Sequence, residues 1–299
     1  MYDVPTELAN IVEWFFKIVF GDIASLGTKM KAWLLMNPCG QYYYSSPMIE
    51  NPFFGFWSGA GVTIQSILSG IATTMCGIFF CIEFAKTLSR VEGTTYEAVM
   101  GVGFKFCLAR LAISLADKLM TALTLTGAQI ISQVSAIATM DTISKADMTQ
   151  FYNHIWTASK DLGVTGFFAL IALVVIPCLA VKAVTVIAMI MAYGRLLELV
   201  FYHAFLPLPV GCLFIDNARI TKRFFASYFA TILQGVFMFV GYSIFISNVI
   251  PAMQPIIDSV PTGLDDIAKM LFKVVMWGIM MVVIMMKSGS WASKMVGEG

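Results

Sequence analysis

Charge is what this sequence has least of: Asp, Glu, Lys and Arg make up 12% of its 299 residues, while apolar side chains make up 59%. Soluble domains carry about 25% charged residues, and a water-facing shell cannot be assembled from half that supply. The scarcity is gathered into long gaps. No charge occurs between Glu50 and Glu83 or between Arg223 and Asp258. The intervals from Lys118 to Asp141 and from Asp161 to Lys182 are each long enough for a bilayer crossing, which takes roughly 20 residues. These runs exclude an oversized soluble core and predict an all-α, polytopic helical membrane protein.

Other absences narrow the function. Neither sign of charge is in excess: the net charge is +1, so no global basic field draws nucleic acid to the surface, and any such contact is local. There are two histidines, His154 and His203, without an acidic or cysteine neighbour at ligand spacing. The six cysteines include no C-x-x-C pair, and four of them, Cys76, Cys81, Cys107 and Cys178, fall in apolar runs, where a thiol acts as a small apolar group. No disulfide scaffold, metal or cofactor is expected. A Walker A loop, a G-x-S-x-G elbow and an H-E-x-x-H pair are all missing, so the chain is not expected to be an enzyme. Asp3 and Glu7 stand where a secretory signal carries Lys or Arg, and no cleaved targeting peptide is expected.

What is present is helical periodicity. Between residues 5 and 36, Leu8, Ile11, Val12, Phe15, Phe16, Val19, Phe20, Ile23, Leu26, Met30, Trp33 and Leu34 recur at intervals of three and four, with charges on the remainder. That pattern predicts an amphipathic helix at the membrane surface or against a partner. Tyr42, Tyr43, Tyr44, Pro47, Pro52 and Trp57 then read as an interfacial loop. The predicted organisation is an external segment, 1–55, and a five-span transmembrane domain, 56–299. The spans cover about 56–88, 96–138, 164–193 with helix able to continue to Tyr202, 224–250 closed by Pro251, and 267–286. The second is on the order of 60 Å long as helix, so it tilts, breaks near Gly127 or projects into water. The tract 141–161 reads as an exposed connection, and Pro207 and Pro209 argue against regular helix after His203.

Lys and Arg are retained on the cytoplasmic side. Lys86, Arg90, Lys105 and Arg110 follow the first span, and Arg195, Arg219, Lys222 and Arg223 follow the third, which places both connections inside. The aspartate-rich connections after the second and fourth spans are then outside. This puts the N-terminus outside and the C-terminus in the cytoplasm.

Intramembrane ionisable groups are costly and so become candidates for function. Arg110, Ser114, Asp117, Lys118 and Thr121 share one face of the second helix. This stripe either lines a wet passage or pairs across helices, with Asp117 meeting Lys118, Lys182 or Arg110; pairing alone removes the desolvation problem. Asp117 with His203 is the one acid–base pair that can be drawn, and their predicted depths separate them. The methionines of the fifth span, Met270, Met276, Met280, Met281, Met285 and Met286, read as flexible apolar filling.

The segment from Phe205 to Phe214, with Pro207 and Pro209, the basic run Arg219-Ile220-Thr221-Lys222-Arg223, the apolar run after it and the ending Ser290 to Gly297 carry a resemblance. They resemble the TrbL-like polytopic subunit of conjugative and type IV secretion systems, the sixth component of the VirB set. A proline common at that family's ending is replaced here. The resemblance implies a non-enzymatic, homo-oligomeric component of the bacterial inner membrane. It would help move single-stranded DNA with bound protein, or effector proteins, and support pilus assembly, with ATPases, a minor pilin and the pilin as partners. It also marks Arg195, Pro207, Pro209, Arg219, Lys222 and Arg223 as a cytoplasmic partner loop. The rival is a small-solute transporter, against which an odd span number and the lack of paired repeats both speak.

Overall fold

The computed structural model describes residues 4–34, 38–40, 51–90, 96–137, 145–160, 164–212, 219–261 and 263–297. Tyr42, Tyr43, Tyr44 and Pro47 of the aromatic loop, Asp141 and Asp161 of the acidic connection, and Leu213 and Phe214 lie outside these residues. The described chain is helical apart from short turns such as 38–40 and 51–53, with no strand among the described residues. Its elements are α1 (Val4–Leu34), α2 (Phe54–Phe56), a π-helical turn (Trp57–Gly61), α3 (Val62–Arg90), α4 (Tyr96–Ile137), α5 (Lys145–Lys160), α6 (Val164–Phe205), α7 (Pro207–Gly211), α8 (Arg219–Asp258) and α9 (Leu264–Val296).

Among the described residues four stretches are long and apolar enough to cross a bilayer: Phe54–Ser89, Phe168–Gly211, Arg219–Asp258 and Leu264–Val296. The protein is a multi-pass membrane protein. Much of α3 is left uncovered by the chain, with Ile67, Ile71, Ile78 and Ile82 all exposed. Such a surface is a large liability in water and carries none in hydrocarbon. The predicted second span is the exception. It forms one unbroken 42-residue helix, α4. The part up to Lys118 carries Glu97, Lys105, Arg110, Asp117 and Lys118, and the remainder is diluted by Thr121, Thr124, Thr126, Gln129, Ser132 and Gln133. The helix does not break at Gly127. That residue lets α8 approach, because a Cβ there would sit 2.3 Å from Ile232 Cγ2.

Proline stops fewer helices than expected. Pro251 was predicted to close the fourth span, yet α8 continues through Pro251 and Pro255 to Asp258. Each proline ring is exposed, while Ala252, Met253, Ile256 and Ile257 are buried and hold the backbone in register. Pro207 likewise begins the helical turn α7, a position where its missing N–H costs no intrahelical bond.

The chain gathers into two compact units of interleaved segments. The first holds Met1–Leu34, Ile131–Tyr193 and Val236–Ser288. Here α1 buries Val12, Phe16, Val19, Phe20, Ile23, Leu26 and Met30, the inner face its periodicity predicts. Its partner is α5: Phe151 meets Phe16 and Phe20 edge-on, at centroid distances of 5.9 and 5.3 Å. Residues 145–160 of the tract read as an exposed connection thus form a helix packed on α1. Its polar composition hides an apolar pair, Phe151 and Ile155, one turn apart and fully buried. Met270, Met281 and Met285 of α9 are buried, while Met276, Met280 and Met286 are uncovered.

The second unit holds Leu35–Ile130, Gly194–Gly235 and Gly289–Gly299. Contacts between α3 and α4 run in opposite order: Phe80 meets Phe106, Thr73 meets Arg110, and Gln65 meets Asp117. The two helices are therefore antiparallel. Trp57 packs with Val200 and Ala204, and Gly211 lies against Ala72, so the end of α6 and α7 run parallel to α3. A second apolar cluster joins Ala116 and Met120 of α4 to Leu199, Leu206 and Val210 and to Tyr228 and Ile232 of α8.

Candidate functional site

The second unit encloses a polar cluster around His203, whose side chain is 0% exposed. His203 is buried because α6 continues beyond the third span as helix, past Tyr202 to Phe205, and turns this residue inward. Its Nδ1 lies 3.4 Å from Asp117 Oδ1, and its Nε2 lies 3.0 Å from the Tyr228 hydroxyl. Tyr228 is held in turn by the Thr124 hydroxyl and by the Met120 carbonyl, to which it donates at 3.2 Å. The Gln65 amide donates to Asp117 Oδ1 and to the His203 carbonyl, both at 3.4 Å.

Two aromatic rings wall the imidazole. Tyr228 and Trp57 stand edge-on to it, at centroid distances of 5.8 and 6.2 Å. Trp57 opens the π-helical turn ahead of α3; such turns are frequent at functional sites because the extra residue re-aims a side chain. The short turn at residues 38–40 completes the cluster. Asn51, itself buried, donates its side-chain amide to the carbonyls of Pro38 (3.4 Å) and Gly40 (3.0 Å), which pins the backbone on both sides of Cys39. Cys39 Sγ, an Asp117 carboxylate oxygen and a His203 ring nitrogen all lie within 4.8 Å of one another. Burial, and then the charge of Asp117, push the Cys39 thiol up from its ordinary pKa.

Asp117 and His203, which the depth reading separates, are therefore neighbours. The expectation that neither histidine has an acidic or cysteine companion is likewise corrected for His203. Lys182 does not meet Asp117: it forms an ion pair with Asp22 of α1, in the first unit. Arg110 donates to the Thr73 hydroxyl at 2.5 Å and lines an open groove with Ser69, Cys107 and Ser114. The Ser114 hydroxyl is turned back to the Leu111 carbonyl, and Lys118 is exposed. Of the predicted stripe, the structure brings Arg110 and Asp117 against α3 and leaves Lys118 on the outside.

Arg195 does not belong to a partner loop. It is 4% exposed inside α6, its Nε donating to the Thr231 carbonyl at 2.5 Å and its Nη2 to that of Ile232 at 3.0 Å. The Thr231 hydroxyl donates to Glu198 one turn further along α6 (3.3 Å). Gly235 makes room for the guanidinium, since a Cβ there would lie 2.2 Å from Arg195 Cζ. Arg219, Lys222 and Arg223 are exposed in the first turns of α8, whereas Thr221 between them is buried and donates its hydroxyl to the Pro209 carbonyl at 2.5 Å.

Cys39, Gln65, Asn51, Tyr228 and Thr124 escape the sequence reading because each sits among apolar or loop residues with nothing local to distinguish it. Glu198 carried a signal: it lies three residues after Arg195 on the same helix face, the spacing of an interacting pair. No protein-family model matches the chain, and no curated protein or solved structure was found that is similar to it.

Proposed function

We propose that the protein is a channel and assembly subunit of a type IV secretion machine of the bacterial inner membrane. It would help pass single-stranded DNA with bound protein, or effector proteins, alongside ATPases and pilins supplied by other chains. The N-terminus is assigned to the outside and the C-terminus to the cytoplasm, from the distribution of Lys and Arg. The observation that carries the reading is the junction of α7 and α8. The proline turn and the basic run that bear the family resemblance are tied together by the bond from Thr221 to Pro209. This bond leaves three cationic side chains, Arg219, Lys222 and Arg223, uncovered on one short stretch of helix. A local cluster of this kind suits an acidic partner surface in a chain whose overall charge is only +1.

The test replaces Arg219, Lys222 and Arg223 together with Ala. Substrate transfer is expected to stop while the protein inserts and accumulates normally, since none of the three is buried. Normal transfer by the triple variant would remove the basic run from the mechanism. Purification discriminates the transporter reading: a secretion subunit co-purifies with ATPase or pilus proteins, whereas a transporter binds a solute as an isolated chain.

A further inference from the structure

We propose that Cys39, Asp117 and His203 form a transition-metal site suited to Zn2+, in which the Cys39 sulfur, one Asp117 carboxylate oxygen and His203 Nδ1 are three ligands of a tetrahedron. The three residues come from separate pieces of the second unit: the turn at 38–40, the middle of α4 and the end of α6. Their donor atoms converge to within 4.8 Å of one another without any local sequence pattern to bring them together.

The separation of His203 Nδ1 from Asp117 Oδ1, 3.4 Å, is that of a long hydrogen bond and equally that of two ligands on one ion. Two ligands at about 2.0–2.1 Å from a tetrahedral ion stand roughly 3.3 Å apart. The charges also balance. Thiolate and carboxylate supply two negative charges and neutral imidazole none, so a divalent ion makes the assembled site neutral. On binding, Cys39 gives its S–H proton to water and the sulfur lone pair goes to the metal. Sulfur and imidazole donors favour Zn2+ over Mg2+ or Ca2+, which take oxygen. Three protein ligands leave a fourth position for water.

The surroundings are those a metal ligand needs. A ligating histidine is oriented by a bond from its other nitrogen, and His203 Nε2 meets Tyr228, which Thr124 and Met120 fix in place. Gln65 holds Asp117, Asn51 fixes the turn that carries Cys39, and Trp57 forms an apolar wall. The ion would fasten the turn before α3 to α4 and α6.

The full chain, purified in detergent and stripped with a chelator, is titrated with Co2+ and then with Zn2+. The expected result is one Co2+ per chain, with the intense visible absorption of tetrahedral cobalt and a near-ultraviolet thiolate band, both bleached by Zn2+. Cys39→Ser is expected to lose the thiolate band. Tyr228→Phe should keep the band and weaken metal affinity about 10–100-fold. In the unaltered chain, Zn2+ should protect Cys39 from alkylation as read by peptide mass mapping, a result that does not depend on any variant folding. A folded chain that takes up no Co2+, a thiolate band that persists in Cys39→Ser, or alkylation of Cys39 at the same rate with and without Zn2+ would each overturn the site.

Discussion

Arg195 is a charge that water does not reach, and its position depends on one missing side chain. Its guanidinium reaches the Thr231 and Ile232 carbonyls only because α8 has no Cβ at Gly235. Gly235→Ala would push a methyl group into the planar head of a buried cation. The guanidinium is displaced from both carbonyls, so overpacking of about 1–3 kcal/mol is expected. Thermal unfolding in detergent should show this as a lowered midpoint, while Gly263→Ala, where a Cβ meets nothing within 4 Å, serves as the control. Equal midpoints for the two variants would mean that Arg195 is not held against α8. Replacing Arg195 by Lys does not preserve the arrangement either, because an ammonium cannot present two donors in a fixed fork.

At the scale of elements, the outcome turned on how much of each helix is decided locally. The inner face of α1 was legible because its apolar residues recur along the whole helix, and each long charge-free run is almost wholly helical over its described residues. Three features were not legible, for a shared reason. The helicity of α5, the passage of α8 through Pro251 and Pro255, and the inward turn of His203 are all set by packing against residues far away in sequence. In α5 the decisive contacts are Phe151 on Phe16 and Phe20. Isolated helices of about 12–15 residues or fewer are marginal in water, and even a 16-residue one with little apolar surface depends on such packing. Phe151→Ala is therefore expected to cost about 3–5 kcal/mol and to free α5 from α1. Limited proteolysis should then cut within 145–160 in the variant and not in the parent chain. An uncut variant would show that Ile155 and the backbone suffice to hold the pair.

For the whole molecule the question is which way the helices point. Within the second unit α3 and α4 are antiparallel, and the end of α6 with α7 runs parallel to α3, as spans separated by one intervening crossing should. The direction of α4 thus matches a crossing even though its composition falls short of one, since charge and threonine dilute it without reversing it. Parallel α3 and α7 lead the chain out toward the same side, and the proposed orientation assigns that side to the cytoplasm from the basic residues there, Arg90 at the end of α3 and Arg219, Lys222 and Arg223 after α7. Cysteines introduced by Glu92→Cys and Ile220→Cys, with the parent chain as background, should react with an impermeant maleimide only after the membrane is opened. Reaction of both in intact cells would reverse the orientation and take the proposed secretion role with it, because the basic run would then face away from cytoplasmic partners. Reaction of one alone would contradict the parallel course of α3 and α7, and with it the convergence of Cys39, Asp117 and His203.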